Sequence, residues 1–354
     1  MSDLRQRIDA FVKLGDFFRS YCEYVKNDIQ ITENQKSWFL KFDETLALAK
    51  HKNGWFTREN ILFAIAEWGK LLVSEKLENW ILRYDHRPSR SKTVALIMAG
   101  NIPLVGFHDF LSVLMTGNTA MIKLSSNDSI LLPLVSEYLI EVLPSLSTKI
   151  IFKEDRFENF DAVIATGSNN TARYFEYYFG KVPHIIRRNR NSVAVLTGNE
   201  TASQLNALGE DIFRYFGLGC RNVSKLFVPK GYVFDTFFSA IDSYKILMDQ
   251  IKYANNYDYN KAVYLMSEFE FIDNGFLILK RDTGFASPIA TLSYEEYDSL
   301  NSLISQLALD REKLQCIVGH GVLEEEVDFG ETQRPYLDTY ADHIDTVQFL
   351  LKTS

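Results

Sequence analysis

Thr93-Val94-Ala95-Leu96-Ile97-Met98-Ala99 is apolar from end to end and stops at Gly100-Asn101-Ile102-Pro103. A run without polar interruption suits a strand covered on both faces, as in a parallel sheet. The chain beyond it alternates. Helical spacing at 106–115 gives way to an apolar run at 120–124, a helix at 129–142 and a run at 149–152. A run at 161–165, a helix at 169–179, a run at 193–196 and a helix at 203–216 close the series. Strands alternating with helices of this length predict a doubly wound, parallel α/β sheet. Ligands of such sheets bind at the carboxyl ends of the strands, where Asn101 and Thr166-Gly167-Ser168 fall.

Upstream, the polar, proline-containing stretch Arg87-Pro88-Ser89-Arg90-Ser91 predicts a turn. Before it the apolar residues recur at helical spacing, with Ile8, Phe11, Leu14 and Phe18 in one stripe and Ile61, Phe63, Ile65, Trp68 and Leu72 in another. Thr57, three residues before Asn60, reads as a helix start. This segment is a helical layer without evident chemistry. Downstream, a second α/β unit is expected. Its strands lie near Leu226, 276–279, 289–292 and 316–318, and its helices near 234–246 and 294–306.

The 354 residues allow two domains, and 46% hydrophobic with 24% charged residues fits a globular chain with a substantial core. A net charge of −8 opposes non-specific nucleic-acid binding. Cys22, Cys220 and Cys316 are too few and too scattered for a disulfide framework or a metal site, so a reducing cytoplasm is expected. The first residues lack the apolar stretch of a secretory signal, and no uncharged apolar run reaches spanning length, so stable membrane insertion is not expected.

Candidate chemistry gathers at a few points. Cys220 follows Gly217-Leu218-Gly219 and precedes Arg221 and Lys225, and nearby cations favour the nucleophilic thiolate. A buried cysteine acting as a small hydrophobe is the plain alternative. Asn101 can donate to an oxygen that gains negative charge, or can simply turn the chain before Pro103. Thr166-Gly167-Ser168 precedes a helix, where anions are favoured, although for this short motif alone a plain capping turn is the better reading. Lys123 ends a strand, where it can meet a phosphate or ribose or stay solvated. Arg187, Arg188 and Arg190 form either a phosphate-facing patch or a solvated, ion-paired loop. The second reading is preferred, because exposed pairs contribute little. His108 and His184 pair with no identifiable nucleophile, and no triad is assigned.

Taken together, Asn101, Lys123, Thr166-Gly167-Ser168 and Cys220 resemble, in order and spacing, the aldehyde dehydrogenase superfamily. The chain is most similar to its acyl-CoA reductase (LuxC-like) branch. The likeness is carried by Gly100-Asn101-Ile102-Pro103 through Gly117-Asn118-Thr119 to Lys123, by Gly217-Leu218-Gly219-Cys220-Arg221-Asn222-Val223-Ser224, and by Gln333-Arg334-Pro335-Tyr336-Leu337 with Tyr340-Ala341-Asp342.

This resemblance implies an aldehyde-dehydrogenase-like α/β fold, with a doubly wound parallel cofactor domain and a second α/β catalytic domain. The boundaries it suggests are 1–90 for the helical layer of the cofactor domain, 91–205 for the cofactor domain, 206–325 for the catalytic domain and 326–354 for a bridging or returning segment. It implies Cys220 as nucleophile, Asn101 and the Cys220 backbone N–H as oxyanion hole, and Lys123, Ser126, Thr166, Gly167 and Ser168 at the cofactor. Aldehyde-oxidising members carry a glutamate that activates water some thirty residues before the cysteine. Here no Asp or Glu occurs between Glu176 and Glu200. Without that base, hydrolysis of a thioacyl-enzyme loses its assistance, which favours reduction. Ser126 stands where NAD-preferring members place a ribose-binding glutamate, so NADPH is the expected cofactor, with NADH as the alternative. Gly284 stands where a second ribose-anchoring glutamate is usual.

The expected activity is reduction of an acyl thioester, a fatty acyl-CoA or acyl-carrier protein, to the aldehyde through a cysteine thioacyl intermediate. An acyltransferase or synthetase partner and a homo-oligomer are compatible with it. Two other readings stay open: a CoA-acylating aldehyde dehydrogenase working oxidatively, and a catalytically degenerate scaffold or carrier-binding subunit.

Overall fold

In the computed structural model, which describes residues 2–27, 31–85 and 90–352, the N-terminal stripe forms one face of a long helix. That helix is α1 (Ser2–Asn27), and Ile8, Phe11, Leu14 and Phe18 are all buried on it. Helix α2 (Glu33–Lys52) starts in a capping box between Thr32 and Gln35. Helix α3 (Arg58–Leu71) starts as expected at Thr57, whose side chain accepts from the Asn60 N–H at 3.2 Å. A short α4 (Ser74–Ile81) completes the layer. Aromatic contacts hold it to the rest of its unit, including Phe17 on Tyr138 at 4.5 Å and Trp68 on Phe107 at 4.6 Å between ring centroids. Arg87, Pro88 and Ser89 of the expected turn lie outside the described residues.

The run at Thr93 becomes β1 (Thr93–Ile97), followed by α5 (Phe107–Met115), β2 (Thr119–Lys123), α6 (Leu131–Val142), β3 (Ile150–Phe152), β4 (Ala162–Thr166), α7 (Asn169–Phe179) and β5 (His184–Arg187). All pairings are parallel, in the order β3-β2-β1-β4-β5. The unbroken apolar run is explained by burial on both faces. Val94 and Leu96 join the core that includes the helical layer, while Ala95 packs with Val163, Phe175 and Phe179. β5 was not expected from the sequence. It occupies part of the stretch read as a basic loop.

The run at 193–196, expected to close this sheet, belongs to another. β6 (Asn191–Val195) leads through α8 (Ala202–Phe213) to β7 (Val223–Pro229), α9 (Asp235–Ala240), α10 (Ile251–Met266), β8 (Phe271–Asp273), β9 (Ile278–Arg281), β10 (Thr291–Tyr297), α11 (Leu300–Leu309) and β11 (Leu314–Val318). These strands form a sheet of order β11-β6-β7-β10-β9-β8, parallel except for β8 against β9. Strand alternation sorts the core. Leu226 and Val228 face Leu208 and Ile212 of α8, and Phe227 faces Leu303 and Leu307 of α11. Residues 294–297, expected to be helical, continue β10 instead. The polar helix α10 had no clear sequence signal.

After β11 the chain returns to the first sheet's unit and ends in α12 (Thr346–Lys352). Two compact units result, one of residues 1–188 with 336–354 and the other of residues 189–335. These divisions differ from the boundaries at 205/206 and 325/326: β6 pairs with β7 and β11, and Gly330 and Thr332 bond Asp211 of α8. In the returning segment Tyr340 OH accepts from Trp80 Nε1 at 2.8 Å and lies 2.7 Å from Tyr84 OH, which bonds Asp345 at 2.9 Å.

Candidate active site

In the first unit, β1, β2 and β4 end side by side, with β1 at the point where the winding of the sheet reverses. Such a point is where doubly wound sheets open a crevice. Asn101, Lys123, Ser126 and Thr166-Gly167-Ser168 all follow or end these three strands, so the fold brings them to one sheet edge. The turn after β1 is held tightly. A Cβ on Gly100 would lie 2.7 Å from the Ser125 side chain and 2.9 Å from the Asp128 nitrogen, so the backbones approach as only glycine allows. Asp128 is buried beneath the turn and accepts from Leu104 N at 3.1 Å, and burial raises its carboxyl above the usual range. Asn101, Lys123 and Ser126 are exposed at this edge. Ser168 caps α7, its hydroxyl accepting from Thr171 N at 3.2 Å, so the capping reading of that turn is realised.

The donors along this edge are an exposed ammonium, hydroxyls and the start of a helix, while Asp128 is turned inward. That chemistry fits the phosphates and ribose of a dinucleotide.

In the second unit Cys220 is exposed, which sets aside the buried-hydrophobe reading. Three consecutive residues before it are left-handed: Tyr215 (φ 55°), Phe216 (φ 59°) and Gly217 (φ 75°). Only Gly217 adopts this conformation without cost, and the buried rings of Tyr215 and Phe216 secure the other two. Gly219 and Asn222 then close a four-residue turn, Asn222 N donating to Gly219 O at 3.0 Å. Cys220 and Arg221 are its central residues. The Cys220 carbonyl accepts from Ser192 Oγ at 2.9 Å, and that oxygen accepts from Cys316 N at 3.1 Å.

The two cations behind the thiol are engaged elsewhere. Lys225 is fully buried. Its ammonium meets Glu295 at 2.5 Å and the Thr283 carbonyl at 2.8 Å, with the rings of Phe227 and Phe285 at 4.7 and 5.3 Å. Arg221 Nη1 donates to the Cys316 sulfur at 3.3 Å. The expected cationic flank is therefore used in holding the strands and loops around the thiol. Ser224, the residue before Lys225, bonds the Phe285 carbonyl at 2.7 Å, so β7 grips the 283–285 segment at two successive positions.

Asp211 was missed by the sequence reading. It is fully buried and accepts from Gly330 N at 2.6 Å, Thr332 N at 3.0 Å and Thr332 Oγ1 at 2.8 Å. Burial outweighs these donors and pushes its carboxyl up to about 6. The bonds tie α8 to the segment that leads into Gln333-Arg334-Pro335. A signal was present: Asp211 continues the Leu205, Leu208 core face at helical spacing, where an acid needs a buried partner.

The basic cluster divides. Arg187 is only 4% exposed and lies on β5. Its fork meets Asp109 at 2.6 and 3.3 Å, Ala341 O at 2.6 Å and Thr346 Oγ1 at 3.0 Å, so it is neither a phosphate-facing nor a solvated residue. Arg188 pairs with Glu176 at the surface, and Arg190 bonds Leu314 O at 3.4 Å. His108 bonds the Leu337 carbonyl at 2.9 Å, and His184 bonds Val182 O at 2.8 Å. Among the described residues no group of side chains has the makeup of a metal site, and no helix is long and apolar enough to cross a membrane.

A family model for acyl-CoA reductase (LuxC) matches residues 40–240. Among solved structures the chain is similar to the indole-3-acetaldehyde dehydrogenase AldA of P. syringae, solved with NAD+ and IAA. The TM-score is 0.61 and the identity 13%, over 90% of this chain and 72% of that one. It is similar to the aldehyde dehydrogenase KauB of Pseudomonas aeruginosa, with TM-score 0.61 and 11% identity over 93% and 78% of the two chains. An NAD-dependent aldehyde dehydrogenase of Sinorhizobium meliloti gives 0.59 and 12% over 96% and 72%. At these identities the likeness establishes a shared fold. No curated protein matches the chain.

Proposed function

The chain belongs to the acyl-CoA reductase (LuxC) family, and from that premise we propose that it reduces an acyl thioester to an aldehyde, with Cys220 as the nucleophile. The family and fold make it an oxidoreductase of acyl and aldehyde groups. The observation that carries the finer reading is the exposed thiol of Cys220 in a turn secured on both sides.

In this reading the Cys220 thiolate attacks the thioester carbonyl carbon, and the tetrahedral adduct collapses by expelling the carrier thiolate. The acyl group is now on sulfur. Asn101 and the Cys220 backbone N–H are assigned the stabilisation of the oxyanion, a role taken from the residue match. Lys123, Ser126 and the Thr166-Gly167-Ser168 turn are assigned to binding and orienting a nicotinamide dinucleotide. When bound, that group supplies one hydride to the thioacyl carbon. The carbon–sulfur bond of the resulting thiohemiacetal then breaks, the carbonyl re-forms as aldehyde, and Cys220 recovers its thiolate. One proton is taken up per turnover, leaving as part of the carrier thiol.

NADPH is the proposed donor, because Ser126 places no carboxylate against a 2′-phosphate. Acyl-CoA or acyl-carrier protein is the proposed substrate. A reducing cytoplasm is the proposed setting, in keeping with three scattered cysteines that form no disulfide framework. The test is trapping of a labelled acyl group from acyl-CoA in the absence of cofactor. The native protein should form a covalent adduct and Cys220→Ala should form none; an undiminished adduct in the variant overturns the assignment.

A further inference from the structure

We propose that Asn222 is the positioning residue of the Cys220 thiol, an inference that rests on Cys220 being the nucleophile. Asn222 is buried, and its side chain spends every hydrogen-bonding group on the geometry around the thiol. Its Oδ1 accepts from Gly219 N at 2.8 Å. Its Nδ2 is directed at the carbonyls of Asp211 at 3.0 Å, Ile212 at 3.4 Å and Arg214 at 2.8 Å. Those carbonyls close the last turn of α8, where a helix leaves acceptors without partners.

The turn around Cys220 is thus closed twice, by the Asn222 N–H on Gly219 O and by the Asn222 Oδ1 on Gly219 N–H. The same amide group bolts the turn to the end of α8. On the other side the Ser192 hydroxyl holds the Cys220 carbonyl. The peptide on either side of the nucleophile is therefore fixed from two elements, α8 and β6, and the direction in which the side chain leaves the backbone is set. Attack on a bound thioester demands such direction, because misplacement by about 1 Å costs on the order of a hundredfold in rate. Alkylation by a small, freely diffusing reagent does not.

The experiment compares native protein with Asn222→Ala, Asn222→Asp, Ser192→Ala and Cys220→Ala. Three quantities are read for each folded variant: the single-turnover rate of acyl transfer from short-, medium- and long-chain acyl-CoAs, the KM for acyl-CoA, and the pH profile of Cys220 alkylation by iodoacetamide. Asn222→Ala should transfer the acyl group about ten- to a hundredfold more slowly. Its KM should stay within about threefold, and its limiting alkylation rate within about twofold. Asn222→Asp should also move the alkylation midpoint to higher pH, since a carboxylate in the turn opposes the thiolate. Ser192→Ala removes only the hydroxyl on the Cys220 carbonyl and should slow transfer severalfold, which keeps the test in force if the Asn222 variants do not fold.

Acyl transfer at the native rate in folded Asn222→Ala, or in Ser192→Ala where the former cannot be made, overturns the inference. A parallel loss of alkylation and transfer overturns it equally, since that marks general loosening. An adduct surviving in Cys220→Ala defeats the functional reading itself, a separate outcome.

Discussion

Replacing Arg187 by Met should destabilise the first unit more than any exposed charge substitution. The guanidinium is buried, and it makes two bonds to Asp109, one to the Ala341 carbonyl and one to the Thr346 hydroxyl. The Asp109 side chain is itself only 13% exposed. Removing the cation leaves a carboxylate away from water with Thr346 Oγ1 at 3.5 Å as its remaining contact among these groups. Breaking one side of a buried pair costs about 3–5 kcal/mol. Replacing both residues, as in the Arg187→Met, Asp109→Leu double variant, should restore all but about 1–2 kcal/mol, because no unpaired charge remains. All four tryptophans, Trp38, Trp55, Trp68 and Trp80, lie in this unit, so urea unfolding followed by tryptophan fluorescence reports on it selectively. Arg188→Ala, at the exposed pair with Glu176, is the control and should cost under about 1 kcal/mol. A loss below about 1 kcal/mol in Arg187→Met, or single-variant losses that simply add in the double variant, would refute the reasoning.

Asp211 makes stability depend on pH. Its carboxyl is raised from 3.8 to about 6, so the folded chain holds this proton more tightly than the unfolded one. Its contribution is fully present below about pH 4 and is lost as pH rises through about 6, a change of roughly 3 kcal/mol at most. The stability gap between native protein and Asp211→Asn should therefore narrow from about pH 4 to about pH 7; a gap that stays constant counts against it. Gly100→Ala should cost about 1–3 kcal/mol, since its Cβ would overlap Ser125 and Asp128, and unchanged denaturation would show that the turn can yield. Ser126→Glu should raise the KM for NADPH about tenfold or more and leave NADH nearly unchanged. Equal shifts for both would remove Ser126 from the ribose site.

What the sequence discloses follows from how local each cause is. The strand at Thr93–Ile97 is legible because burial on both faces writes an unbroken apolar run. Helix α7 matches its expected range because its start is marked by a local cap at Ser168. β5 is hidden, since Arg187 looks like a loop residue until Asp109 and the Ala341 carbonyl are brought to it from distant parts of the chain. Residues 294–297 are likewise expected in a helix, yet they continue β10, where Lys225 of the neighbouring strand accommodates Glu295. The thiol at position 220 stands out from its glycines, and its exposure agrees with a functional role. The assignment of Lys225 to that thiol fails because its partner Glu295 lies across the sheet, and such partners leave no mark on local sequence. Asn222 was in plain view within the cysteine motif, but its three carbonyl partners appear only once α8 ends beside it.

The interrupted first unit has a consequence for synthesis. As the polypeptide leaves the ribosome, residues 1–188 emerge well before the segment that completes them, and residues 189–335 must pass in between. Until then Arg187 lacks its contacts with Ala341 and Thr346, and Trp80 lacks the Tyr340 hydroxyl. The portion made first is thus finished last, while the later, continuous portion has all its strands as soon as residue 335 is free. Translation halted after residue 335 would leave Trp80 and His108 of the earlier portion without the Tyr340 side chain that contacts them.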